Sequence, residues 1–266
     1  MRFVKGHGTE NDFVLLPDVD GELDLSPSLV RALCDRRAGI GADGVLRLAP
    51  ADSSDPDVRW FMDYRNADGS VAEMCGNGIR VFARHLVDAG LESPGRLRID
   101  TRAGIKKVDV PATGDITVGM GVPARLPDAK VVVGGVTHDG LGWSMGNPHL
   151  VVLDADGLDG RDLTGAPVVD PPESYPDGVN VELVERLGPH HIRMRVHERG
   201  VGETRSCGTG VCAAAVASME VAGERTSYDV DVPGGRLVVK WCDGGNVLLT
   251  GPAVIVADGD YHPSGP

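Results

Sequence analysis

The sequence predicts an α+β protein built from two similar domains, each a mostly antiparallel sheet wrapped around a central helix. Three observations carry this reading. A pattern recurs at half the chain length, short apolar segments are divided by Gly, Pro and Asp, and each half holds one apolar stretch of helical length. With 37 Gly and 18 Pro in 266 residues, short strands and many turns are favoured over long helices.

The recurring pattern is C-G-x-G. Met74-Cys75-Gly76-Asn77-Gly78 and Ser206-Cys207-Gly208-Thr209-Gly210 lie 132 residues apart. Asn66 and Glu198 each stand nine residues upstream of their cysteine, and Gly95-Arg96-Leu97 and Gly235-Arg236-Leu237 follow downstream. At the starts of the two units, Gly8-Thr9-Glu10-Asn11-Asp12-Phe13-Val14-Leu15-Leu16 can be laid on Met145-Gly146-Asn147-Pro148-His149-Leu150-Val151-Val152-Leu153.

The elements follow in chain order. Val14, Leu15 and Leu16 read as a strand. A helix begins at Ser26-Pro27, with Ser capping and Pro in the first turn, and turns Leu29, Val30 and Leu33 to the core. Trp60 to Tyr64 is a strand. Ile79, Phe82, Ala83 and Leu86 fall at i, i+3, i+4 and i+7 of a helix that Gly90 closes. Strands follow at Leu97 to Ile99 and Ile116 to Val118, and the boundary falls near Gly119-Met120-Gly121. In the second unit the strands are Leu150 to Leu153, Ile192 to Val196, Leu237 to Val239 and Val247 to Leu249. Val211 to Ala217 is small and apolar on every side, as suits a helix surrounded by sheet. Asp170 to Pro176 is rich in proline and reads as a surface loop within the second unit. The halves are therefore residues 1–118 with Cys75 and 119–252 with Cys207.

Composition narrows the function. With 26 basic against 39 acidic residues the net charge is −13, the wrong sign for nucleic acid or an anionic membrane surface. No apolar run approaches the roughly 18 to 20 residues of a spanning helix, and the first residues lack the apolar core of a signal peptide, so a cytoplasmic location is expected. Five cysteines at scattered positions, without a C-x-x-C pair, argue against a disulfide framework and a structural metal.

Each C-G-x-G directly precedes its helix, where unpaired N–H groups and the positive end of the helix dipole converge. This placement is expected to lower a thiol's pKa, and the glycines let a carboxylate approach the N–H groups. If the halves face one another across a pseudo-twofold axis, two thiols reach a shared cleft. With no cofactor motif in the chain, such a pair suits inversion of a carbon centre: one thiolate removes a proton from one face and the other thiol delivers a proton to the opposite face. The helix ends would stabilise charge developing on the substrate carboxylate.

The segments Asn66 to Arg80, Gly146-Asn147-Pro148-His149, and Glu198 to Thr204 running on to Cys207-Gly208-Thr209-Gly210 resemble the diaminopimelate epimerase family, and the likeness spans essentially the full length. The resemblance implies interconversion of LL- and meso-2,6-diaminoheptanedioate without pyridoxal phosphate, leading toward lysine and the peptidoglycan cross-linking amino acid. It implies no cofactor and a homodimer, with a last strand at Val254 to Ala257, within residues 253–266, returning to the first half. By the same resemblance Cys75 and Cys207 are the acid/base pair. Asn11, Asn66, Asn147, Asn180 and Arg199 hold the substrate's carboxylates and ammonium groups, and Gly76, Asn77, Gly208 and Thr209 complete the reacting end. His149 and Glu198 sit near the thiols and influence which is protonated. An Arg fork at 199 suits bidentate carboxylate recognition.

Two alternatives stay open at this point. Proline racemase or hydroxyproline epimerase duplicates the same unit but typically carries His where this chain has Asn77, and a non-catalytic amino-acid-binding protein would not need both thiols. One departure from the family stands out: Gly44 occupies a place where many members have Gln, so any contact that Gln makes is lost or replaced here. Cys34, Cys212 and Cys242 are expected to be structural thiols.

Overall fold

The structure is a computed structural model that describes residues 1–153 and 157–262. It divides into two compact units. One comprises Met1–Val118 and the chain from Gly251 onward; the other is Gly119–Thr250. The chain thus returns to the first unit two residues earlier than the sequence suggests, at Gly251.

In the first unit the strand Val254–Asp260 pairs antiparallel with Arg2–Gly8, which pairs antiparallel with Asn11–Pro17. The order continues with Gly44–Pro50 in parallel, Trp60–Asn66 antiparallel, Gly95–Asp100 in parallel and Lys106–Val110 antiparallel. Within the second unit Val136–Ser144, Pro148–Val152, Asn180–Gly188, His191–Glu198, Ser227–Val232 and Gly235–Trp241 pair in the same succession: antiparallel, parallel, antiparallel, parallel, antiparallel. The duplication read in the sequence is therefore a duplication of topology.

Its register differs from the sequence alignment of the unit starts by one residue. Phe13 pairs with Gly44 as His149 pairs with Asn180, so Asn11 corresponds to Asn147 and Phe13 to His149. The turn that joins the first two strands is shorter in the first unit, Gly8 pairing directly with Asn11, than in the second, where Ser144 pairs with Pro148. Sequence identity alone cannot place a gap inside so short a turn.

The described residues include three α-helices: α1 (Pro27–Cys34), α2 (Gly76–Asp88) and α3 (Gly208–Ala222). Ser26 caps α1 by accepting from the Leu29 N–H, while Val30 and Leu33 are buried and Leu29 is partly buried against the same cluster. Strands of the first unit pack around α2, whose Ile79, Val81, Phe82, Ala83 and Leu86 are fully buried. Every residue of α3 from Val211 to Ala217 is fully buried too, because small side chains let strands approach from several sides. Gly223 closes α3 in the left-handed conformation, at φ 72°.

The proline-rich segment is anchored rather than wholly superficial: Tyr175 is buried, and its hydroxyl donates to the Pro127 carbonyl at 2.6 Å. Among the described residues no helix is long and apolar enough to cross a membrane.

Candidate active site

Both motif cysteines are helix caps. Cys75 is the N-cap of α2 and Cys207 the N-cap of α3, each with an extended backbone (φ −135°, ψ 122° and φ −121°, ψ 113°). The duplicated topology produces this directly, since in each unit the chain runs from one strand into the buried helix through the Cys-Gly step.

In the first unit the Cys75 Sγ accepts the Gly78 N–H at 3.3 Å and lies 3.7 Å from Asn11 Oδ1. Asn77 Nδ2 donates to the same Asn11 oxygen at 3.2 Å, and Asn11 Nδ2 donates to Asp43 Oδ2 at 2.7 Å. Asp43 therefore fixes which end of the Asn11 amide faces the thiol. The fully buried Arg80 donates to the Gly76 carbonyl at 3.1 Å, Asn77 Oδ1 at 3.0 Å and the Pro252 carbonyl at 3.2 Å. It braces the start of α2 against the returning chain. Asn66 Nδ2 donates to Ser70 Oγ at 3.0 Å in a turn closed by Gly69, whose φ is +89°.

The glycine at 44 has a steric reason. A Cβ there would stand 2.6 Å from the Arg65 carbonyl oxygen and 2.7 Å from the Tyr64 ring. Tyr64, packed edge-on to Phe13, occupies the space in which a longer side chain at 44 would begin.

The second unit is built differently around its cysteine. His149 is fully buried between two partners, with Nδ1 2.7 Å from Glu182 Oε1 and Nε2 3.1 Å from Asn147 Oδ1. Asn180 Oδ1 accepts the Arg199 N–H at 2.9 Å and its Nδ2 donates to the Pro148 carbonyl at 3.3 Å. Thr204 Oγ1 donates to Glu198 Oε1, and the Thr209 hydroxyl lies 3.5 Å from Cys207 Sγ. The guanidinium of the exposed Arg199 is turned to the Asp177 carbonyl at 3.0 Å.

The expected lowering of the thiol pKa does not hold at Cys207. Burial pushes this thiol well above its ordinary range, and the charges of Glu198 and Glu182 push in the same direction. These effects outweigh the helix end and the Thr209 hydroxyl, so Cys207 is protonated at neutral pH. Burial likewise raises the Glu198 carboxyl, against hydrogen bonds from Thr204 and Cys207, while Glu182 adds to the rise. Cys34 fits its structural reading, since burial pushes its thiol up to about 11.

The structure thus joins Asn11, Cys75 and Asn77 in one hydrogen-bonded group, and Asn147 with His149 in another. Sequence reasoning gave no role to Asp43, Arg80 or Glu182. For Glu182 a signal existed: an acidic residue inside the apolar run Val181 to Val184, two positions after Asn180 and so on the same strand face.

The diaminopimelate epimerase family model matches residues 3–126 and 143–256. The chain belongs to the diaminopimelate epimerase family. Consistent with that membership, it is 52% identical to a diaminopimelate epimerase of Streptomyces coelicolor over 97% of this chain and 94% of the relative. It is 50% identical to one from Rhodococcus jostii, over 97% of this chain and 96% of the relative. A solved phenazine biosynthesis protein of the PhzF family from Bacillus anthracis has a TM-score of 0.71 at 16% identity, covering 97% of this chain and 98% of that one, which shows a shared fold.

Proposed function

We propose that this chain interconverts LL- and meso-2,6-diaminoheptanedioate by a cofactor-independent two-base mechanism, supplying lysine and peptidoglycan precursors, and that it works as a cytoplasmic homodimer. The observation that carries this reading is the pair of N-capping cysteines at equivalent helix starts in a duplicated fold, in a chain whose relatives carry the epimerase name.

From the LL isomer, the Cys75 thiolate takes the α-proton and the Cys207 thiol supplies a proton to the opposite face of the carbanion. The reaction leaves Cys75 protonated and Cys207 ionised, and the reverse reaction restores the first state. The contacts around each sulfur suit these roles. Each sulfur receives a backbone N–H from its own helix start, but Cys75 otherwise meets the neutral Asn11 amide, whereas Cys207 is buried and held as a thiol beside two carboxylates. Backbone N–H groups and the positive dipole end at each helix start stabilise the substrate carboxylate as negative charge develops on it. Asn11, Asn66, Asn147, Asn180 and Arg199 bind its polar ends, and neither nucleic acid nor membrane is a partner.

The test is to follow the stereochemistry of pure LL-diaminopimelate with the parent, Cys75→Ala and Cys207→Ala. Each direction needs one cysteine as base and the other as acid, so either Ala variant should lose at least about a hundredfold in rate, the effect of one lost acid/base group. Ligand binding without inversion by the parent would instead identify an amino-acid-binding protein.

A further inference from the structure

The two halves share a topology but not the chemistry of the surface facing their cysteines. Register places Phe13 and Leu46 of the first unit at the positions of His149 and Glu182 in the second, because Phe13 pairs with Gly44 and His149 with Asn180. The same substitution appears at the helices. A Cβ on Gly78, the third residue of α2, would lie 3.1 Å from Leu46 Cδ2, and one on Gly210, the third residue of α3, 2.6 Å from Glu182 Oε1. An apolar pair in one half is thus a buried His–carboxylate pair in the other.

Burying that pair is costly unless its polar atoms are used. Both side chains are fully buried, and Glu182 Oε2 has no hydrogen-bond partner among the described residues although Oε1 is 2.7 Å from His149 Nδ1. Folding alone would be served as well by the Phe and Leu of the first half.

We propose that Glu182 is a positioning residue of the reaction: its carboxylate holds His149 in place against Asn147 and keeps negative charge behind Cys207, so that this cysteine rests as the proton donor. The inference rests on the reading of Cys207 as one of two acid/base thiols. The groups facing Cys207 support it. Glu198 comes from the strand His191–Glu198 and Glu182 from Asn180–Gly188, with His149 of Pro148–Val152 bonded to Glu182, while α3 itself brings the Thr209 hydroxyl and the Gly210 N–H. The other charged groups of these strands lie elsewhere: Arg195 pairs with Glu203, Arg193 with Glu185 and Asp159, and His191 with Asp231, while Arg186 lies near Tyr228; Arg199, one residue past the second strand, donates to the Asp177 carbonyl. His197 alternates with Glu198 onto the other strand face and bonds to the Leu163 carbonyl. Among the described residues these strands bring no Lys or Arg against the two carboxylates, and Glu182 orients the His149 ring toward Asn147.

The experiment uses the full-length enzyme and Glu182→Gln, which keeps shape and loses charge. Alkylation of Cys207 by iodoacetamide, followed by peptide mass spectrometry across pH, should show its midpoint lowered by about one unit, a tenfold faster reaction at a fixed pH below the midpoint. Epimerisation should lose about tenfold or more in kcat with KM nearly unchanged, and the loss should not add to that of His149→Gln in the double variant. A folded Glu182→Gln enzyme with the parental midpoint and kcat would overturn the proposal, as would full additivity with His149→Gln. Should the Gln variant not fold, Glu182→Leu, which copies Leu46 of the other half, carries the same alkylation test. Cys207→Ala separates the two levels: if it still epimerises, the two-base reading fails, whereas an inactive Cys207→Ala beside an unperturbed Glu182→Gln overturns this inference alone.

Discussion

Arg80→Met should loosen the start of α2 and lower activity together. The parent guanidinium is fully buried and donates to the Gly76 carbonyl, Asn77 Oδ1 and the Pro252 carbonyl. Methionine fills much of the same volume without donating. The Gly76 carbonyl keeps the helix's own i→i+4 bond, so the loss falls chiefly on Asn77 and Pro252. Removing a charged donor from the buried Asn77 amide and from the half-buried Pro252 carbonyl costs about 1–3 kcal/mol each, and relief from burying a charge offsets part of that, giving a net loss of about 2–4 kcal/mol. At roughly 2–4 °C per kcal/mol for a chain near this size, Tm should fall by about 5–15 °C. Since Asn77 and Cys75 share the Asn11 oxygen, kcat/KM should fall by more than about tenfold at a temperature where the variant is folded. Urea unfolding followed by circular dichroism, with the epimerase assay in parallel, measures both. A variant within about 1 kcal/mol of the parent, or one with parental kcat/KM, would refute the view that Arg80 braces this half of the site.

Gly44→Gln, which restores the residue common in the family, should destabilise by about 1–3 kcal/mol and bring no gain in kcat/KM, because its Cβ meets a backbone oxygen at 2.6 Å. Thermal unfolding and steady-state kinetics check this, and a higher kcat/KM would show that the position can still reach substrate. Glu198→Gln should be more stable than the parent at neutral pH while losing activity. Burial raises the folded-state carboxyl above its ordinary 4.5, so the parent loses stability as pH rises from that value, until the folded carboxyl ionises as well. Gln removes this loss, so the Tm advantage should be largest at pH 7 and disappear below about pH 4.5; an advantage that grew on acidification would contradict the assignment.

Much of the fold was legible because duplication doubles every signal. Helices α2 and α3, the closing Gly90 and the cap at Ser26 follow from periodicity and residue type. The hairpin of Ala129–Val133 and Val136–Ser144 was missed, although Gly134-Gly135 between two β-branched runs is a turn signal and both glycines have positive φ. It has no counterpart in the first half, so a search guided by the repeat passes over it. Of the site, the caps at Cys75 and Cys207 were legible from their motif. The carboxylate beside Cys207 from the neighbouring strand was not, because its place depends on strand register. Only the pairing of His149 with Asn180 brings Glu182 behind Cys207, and a motif read along the chain does not contain that neighbour.

The central claim is that two different cysteines handle the proton, and the most direct measurement is turnover of LL-diaminopimelate in heavy water with early sampling. Both thiols exchange with solvent before reaction, so the proton removed by Cys75 is not the one delivered by Cys207. Mass spectrometry and proton NMR should find the meso product formed early carrying deuterium at the inverted carbon, while remaining LL substrate stays almost unlabelled. Deuterium appearing in the LL substrate as fast as in product, or product that keeps the original hydrogen, would mean that a single base serves both faces and would contradict the account.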